Sequence, residues 1–106
     1  MKIALDESVP DQVRRAFSGH EVYLVKKIGW GGISNGKLLA AVETAGFDYL
    51  VIADKNLRYQ QDLKGRRLAI IELWTNHRPT LENHLPRIAA AIEGILPGEY
   101  RVVDKP

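Results

Sequence analysis

Two short runs constrain this chain more than any other feature. Asp48 to Ala53 and Leu68 to Leu73 are nearly continuous apolar stretches of strand length. A strand with one wet face alternates polar and apolar residues. A run without alternation marks a strand buried on both faces. Such strands belong to parallel sheets covered by helices on both sides, and the stretches between these runs carry helical spacing.

The remaining elements follow from local pattern. Lys2 to Leu5 reads as a first strand, followed by a loop through Asp6-Glu7-Ser8-Val9 with Pro10 suited to a first helical turn. Val13, Ala16 and Phe17 recur at helical spacing for about two turns, and Gly19 ends them. Glu21 to Val25 is a second strand, and residues 28–33 form a glycine-rich loop around Trp30. Ser34 or Asn35 caps the next helix, whose apolar stripe is Leu38, Leu39, Val42 and Ala45. Lys55 to Leu63 is polar and reads as a short helix or turn, and Asn76 to Pro79 as a loop. Leu85, Ile88, Ala89, Ile92, Ile95 and Leu96 form the clearest amphipathic stripe, with Pro86 in its first turn. Pro97-Gly98 breaks it, and Glu99 to Val103 is a last strand. The expected architecture is a three-layer α/β domain spanning residues 1–106. Its sheet is mostly parallel, with about five strands and helices on both faces.

Composition removes several classes of function. The chain has 106 residues, enough for one domain. It has no cysteine, which excludes disulfides, zinc ribbons and thiol catalysis and fits a reducing, cytoplasmic setting. No apolar run approaches the roughly 18 residues of a membrane span, and the N-terminus does not read as a signal peptide. The net charge of +2 indicates an ordinary mixed surface rather than a dedicated nucleic-acid binder.

In a parallel sheet the working groups lie beyond the carboxyl ends of the strands, near the topological switch. That rule selects Asp6 and Glu7 after the first strand and Asp54 after the third. If those strands are neighbours, both aspartates point into one crevice. Carboxylates gathered on one rim suit a hard cation such as Mg²⁺ or Mn²⁺, which activates water and stabilises phosphoryl transfer. The plainer reading is that they cap helices or stay solvated. Gly31 to Lys37 fits G-x-x-x-x-G-K, but Leu38 stands where a phosphate-binding loop needs a hydroxyl for Mg²⁺. His20, His77 and His84 show no ligand spacing, and Ser8 and Ser34 lack a nucleophile motif. Lys26-Lys27, Lys55, Arg58 and Arg66-Arg67 are candidate phosphate contacts.

Three stretches resemble one family: Ile3-Ala4-Leu5-Asp6-Glu7-Ser8-Val9-Pro10, Gly31-Gly32-Ile33-Ser34-Asn35-Gly36-Lys37-Leu38-Leu39, and Tyr49-Leu50-Val51-Ile52-Ala53-Asp54-Lys55-Asn56-Leu57. In this order they are similar to the small stand-alone PIN-like proteins of bacteria, relatives of the PIN-domain ribonuclease toxins. The resemblance covers residues 1 to about 75 and points to an uncharacterised branch. It implies an Mg²⁺- or Mn²⁺-dependent ribonuclease, with Asp6, Glu7 and Asp54 catalytic and Asp6, Asp54, Asn35 and Asn56 around the metal. Lys55, Arg58, Tyr59, Arg66 and Arg67 would contact RNA. An antitoxin-like protein and a second copy of the chain are the implied partners. Asn35 and Asn56 stand where family members carry aspartate, which removes negative charge from the metal site and makes a second metal unfavourable. The alternative is a PIN-like module that has lost catalysis and binds RNA or a protein.

Overall fold

The computed structural model describes residues 1–54 and 65–106. Its centre is a five-stranded sheet of β1 (Lys2–Leu5), β2 (Glu21–Leu24), β3 (Tyr49–Ile52), β4 (Ala69–Glu72) and β5 (Tyr100–Val102), in the order β2-β1-β3-β4-β5. Every pairing is parallel. The order leaves β1 in one direction toward β2 and in the other toward β3, so the topological switch falls between β1 and β3. Ile3, Ala4 and Leu5 pair with Tyr49, Leu50 and Val51.

The apolar runs of the sequence become β3 and β4, in which every residue is buried. Alternation along the strands divides the core in two. Ile3, Leu5, Tyr49, Val51, Ala69 and Ile71 share one cluster with Val13, Phe17, Leu81 and Ile88. Ala4, Leu50, Ile52 and Ile70 share the other with Leu38, Leu39 and Val42. Each fully buried Leu, Ile or Phe contributes roughly 1.5–3 kcal/mol relative to exposure.

The helices are shorter than their apolar stripes suggest. Asp11–Phe17 is a 3-10 helix rather than an α-helix, and a second 3-10 turn, Val25–Ile28, takes over Val25 from the end of β2. Helix α1 (Asn35–Thr44) is capped by Ser34, whose hydroxyl accepts from the Lys37 N–H at 3.4 Å. The expected loop at residues 76–79 instead opens α2 (Arg78–Glu82), with Pro79 in its first turn. The long last helix is only α3 (Leu85–Ala90), again with proline in its first turn. Beyond it the chain turns through Gly94 at φ 69°, a backbone conformation outside any α-helix.

The amino ends of the strands are closed by charge. The Arg67 N–H donates to Glu43 Oε1 at 2.9 Å, and the Arg66 guanidinium reaches Oε2 at 3.1 Å. The Arg67 backbone bond is the main reason the Glu43 carboxyl lies below its ordinary 4.5; burial opposes it and Arg66 adds to it. A carboxyl depressed in the folded state adds stability above its unfolded pKa and loses it as pH falls through the folded value. Melting temperature is therefore expected to fall as pH drops below about 4.5. Glu43→Gln should flatten that part of the profile. A melting series on both proteins checks this, and superimposable acid limbs would contradict it.

Candidate functional site at the carboxyl ends of β1 and β3

The β1 exit is built by local hydrogen bonds. The Asp6 N–H donates to Val51 O at 3.0 Å, which extends the β1–β3 pairing into the loop. The Asp6 carboxylate then accepts through one oxygen, Oδ2, from the Ser8 N–H at 3.2 Å and the Ser8 hydroxyl at 2.5 Å. This is the turn geometry for which aspartate and serine are suited. The same Ser8 oxygen accepts from the Ala53 N–H at 3.1 Å. Ser8 therefore ties the carboxylate of Asp6 to the backbone immediately before Asp54. Both aspartates are half-buried at the same end of adjacent strands.

The glycine loop closes onto this rim. Glu7 Oε1 accepts from the Gly32 N–H at 2.9 Å. That contact brings the residues before α1 to the β1 exit, so Asn35, the first residue of α1, starts on the same edge. Trp30 does not face the rim. It packs edge-on to Phe47, with ring centres 6.0 Å apart, beside the α1 cluster.

The expected site residues are brought together unequally. Asp6 and Asp54 share the rim, and Asn35 opens α1 three residues after Gly32, which bonds Glu7. Glu7 adjoins it, but one of its oxygens serves the glycine loop. Among the described residues, no group of three or more His, Asp or Glu side chains is gathered as a metal cage. Arg66 and Arg67 lie at the other end of the sheet, before the start of β4, with Arg66 engaged by Glu43. A cavity of about 240 Å³ lined by Arg67, Glu43, Asp48 and Leu68 also lies there, remote from Asp6. Lys55, Asn56, Arg58 and Tyr59 fall outside the described residues.

One further carboxylate lies at the carboxyl end of the sheet, at a position the apolar pattern concealed. Glu72 ends β4 opposite Ile52 and is 1% exposed, with the Tyr100 hydroxyl donating to its Oε1 at 2.7 Å. A buried carboxylate is costly unless hydrogen-bonded, and this one is. The available signal was a single glutamate inside an otherwise apolar run.

The donor set suits one hard cation rather than two. Mg²⁺ keeps several waters and is often held by one or two carboxylates together with substrate phosphate. Asp6 Oδ2 is occupied by Ser8, and among the described residues no group donates to Oδ1. For such an ion Asp6 and Asp54 would supply two charges, and an asparagine at position 35 could add only a neutral oxygen. Comparison with protein-family models, with curated proteins and with solved structures finds no match to this chain.

Among the described residues, no helix is long and apolar enough to cross a membrane.

Proposed function

We propose that this chain is a PIN-like domain that hydrolyses RNA phosphodiesters at the β1–β3 rim with a single Mg²⁺ or Mn²⁺. One observation carries the reading: Asp6 and Asp54 leave adjacent parallel strands at the same end, and Ser8 links the two exits. Asp6 and Asp54 would hold the ion, with the Asn35 carbonyl oxygen as a neutral ligand. When bound, such an ion polarises the phosphoryl oxygen and lowers the pKa of a bound water. Ser8 keeps the Asp6 carboxylate in place through one oxygen and leaves the other for the metal. Glu7 holds the glycine loop against the rim and so sets the position of Asn35. The same reading makes the protein a cytoplasmic toxin–antitoxin component, with an antitoxin-like protein as partner and a homodimer as its assembly.

A second reading, a PIN-like module that binds RNA or protein without cutting, is favoured by the missing third carboxylate among the described residues. Cleavage of a mixed RNA pool with and without Mn²⁺ separates the two. Metal-dependent cleavage by the wild-type protein supports the ribonuclease. No cleavage by the wild type, with a gain in Asn35→Asp/Asn56→Asp, supports the lapsed enzyme.

A further inference from the structure

A cationic face adjoins the rim, and the function proposed above does not use it. Arg14 and Arg15 on the first 3-10 helix line a shallow recess of about 320 Å³ with Arg78 at the start of α2. Asp11, Gln12 and Glu82 complete the recess. Lys26 pairs with Asp11 at 2.9 Å. That hydrogen bond is the main cause holding the Asp11 carboxyl below its ordinary range; burial opposes it, and the charges of Lys26, Lys27 and Arg78 add to it. Lys26, Lys27 and Arg78 therefore act on one carboxylate, and Arg14 and Arg15 line the same recess. Gln12 donates to Glu82 at 2.8 Å, so the second carboxylate is satisfied by a neutral amide. Among the described residues, Arg14 and Arg15 have no hydrogen-bonding or ionic partner, and Lys27 and Arg78 act on Asp11 through charge alone.

The charge is concentrated here. Five cations against Asp11 and Glu82 leave a local excess of three, whereas the whole chain carries +2. The rest of the protein is thus net negative by one. Like charges crowded on one exposed face repel each other and contribute little to folding, but they attract a polyanion. The face is also continuous with the rim. A Cβ on Gly31 would lie 3.5 Å from Lys26 and 3.7 Å from the Glu7 carboxylate. A chain of phosphates lying on the arginines could run past Lys26 to Asp6. A rim of carboxylates needs such a neighbour, because alone it repels the RNA backbone.

We propose that the face formed by Arg14, Arg15, Lys26, Lys27 and Arg78 binds the phosphate backbone of RNA and delivers it to the β1–β3 rim. This rests on the ribonuclease reading for the identity of the polyanion, but the binding needs no metal and no catalysis. The test is fluorescence anisotropy with a labelled oligouridylate in chelator, across a salt series. The double variant Arg14→Ala/Arg78→Ala is compared with Arg66→Ala/Arg67→Ala, which removes equal charge from the opposite end. The first should bind roughly tenfold more weakly at low salt, with a salt slope smaller by about 1.4 for two lost single-strand phosphate contacts. The second should bind as the wild type does. Absence of wild-type binding at low salt would overturn the proposal, as would equal losses in the two double variants. Tighter binding of polyglutamate than of oligouridylate would also overturn it, by assigning the face to an acidic protein. Because the substituted side chains are exposed and Arg78 reaches Asp11 only through charge, melting curves of Arg14→Ala/Arg78→Ala should match the wild type.

Discussion

Asp6→Asn is expected to lower metal-dependent RNA cleavage by about a thousandfold while leaving the fold intact, since a metal's stabilisation of phosphoryl transfer amounts to several kcal/mol. The two halves of that expectation have separate causes. Asparagine keeps a side-chain oxygen that can accept from the Ser8 N–H and hydroxyl, so the turn after β1 and its link to Ala53 survive. What it removes is one of the two negative charges that Asp6 and Asp54 bring to the rim. With Asn35 neutral, half of the available carboxylate charge is lost, and a hard divalent ion is held by charge. Single-turnover cleavage and a melting curve on the same preparation check both halves. Cleavage at the wild-type rate would remove Asp6 from the site; loss of folding would make it structural.

Gly98→Ala is expected to be the most damaging conservative change at the opposite end of the sheet. Gly98 adopts φ 79°, and its N–H donates to Arg67 O at 2.8 Å. A Cβ there would sit 2.5 Å from the Arg66 carbonyl oxygen, a backbone atom that cannot swing aside. Left-handed strain costs an L-residue about 1–2 kcal/mol, and the clash raises the total to roughly 3 kcal/mol or more. For a domain of this size that is a fall in melting temperature on the order of 15 °C. Gly94 is the internal control. It also has positive φ, at 69°, but a Cβ would meet nothing within 4 Å, so Gly94→Ala should cost only the strain, about 1 kcal/mol. Equal melting temperatures for the two variants would show that the chain shifts to relieve the contact.

The sheet was legible because burial on both faces leaves an unmistakable pattern. Residues 49–52 and 69–72 hold no alternation of polar and apolar residues except Glu72, and both became central parallel strands. The condition that β1 and β3 be neighbours, which places Asp6 and Asp54 on one rim, is met by the register of Ile3 with Tyr49. Helix length was less legible. The stripe from Leu85 to Leu96 is apolar whether or not its backbone stays helical. Only the first six residues do; beyond them the Ala91 N–H donates to Ile88 O and the Glu93 N–H to Ala90 O, tight turns that precede Gly94. The same holds for Val13 and Phe17, which reach the core from a 3-10 helix.

The chemistry was legible only where it is local. Asp6, Ser8 and Asp54 stand beside strand ends that the pattern marks. The role of Ser8 depends on a bond to Ala53, 45 residues away. Glu72 was hidden because a single acid does not break an apolar run. The cationic face is assembled from residues 14–15, 26–27 and 78; Lys26-Lys27 stood out as a pair, but nothing in the sequence joined it to Arg14, Arg15 and Arg78. Arg66 and Arg67 looked equivalent to those pairs in sequence, yet they precede a strand instead of following one, and this puts them at the far end of the sheet.

The measurement that bears most directly on the rim is calorimetric titration of Mn²⁺ into the full chain, with Asp6→Asn as the paired variant. One ion is expected to bind per chain with micromolar affinity, and none to bind Asp6→Asn. No heat at millimolar Mn²⁺, or the same isotherm in both proteins, would contradict it.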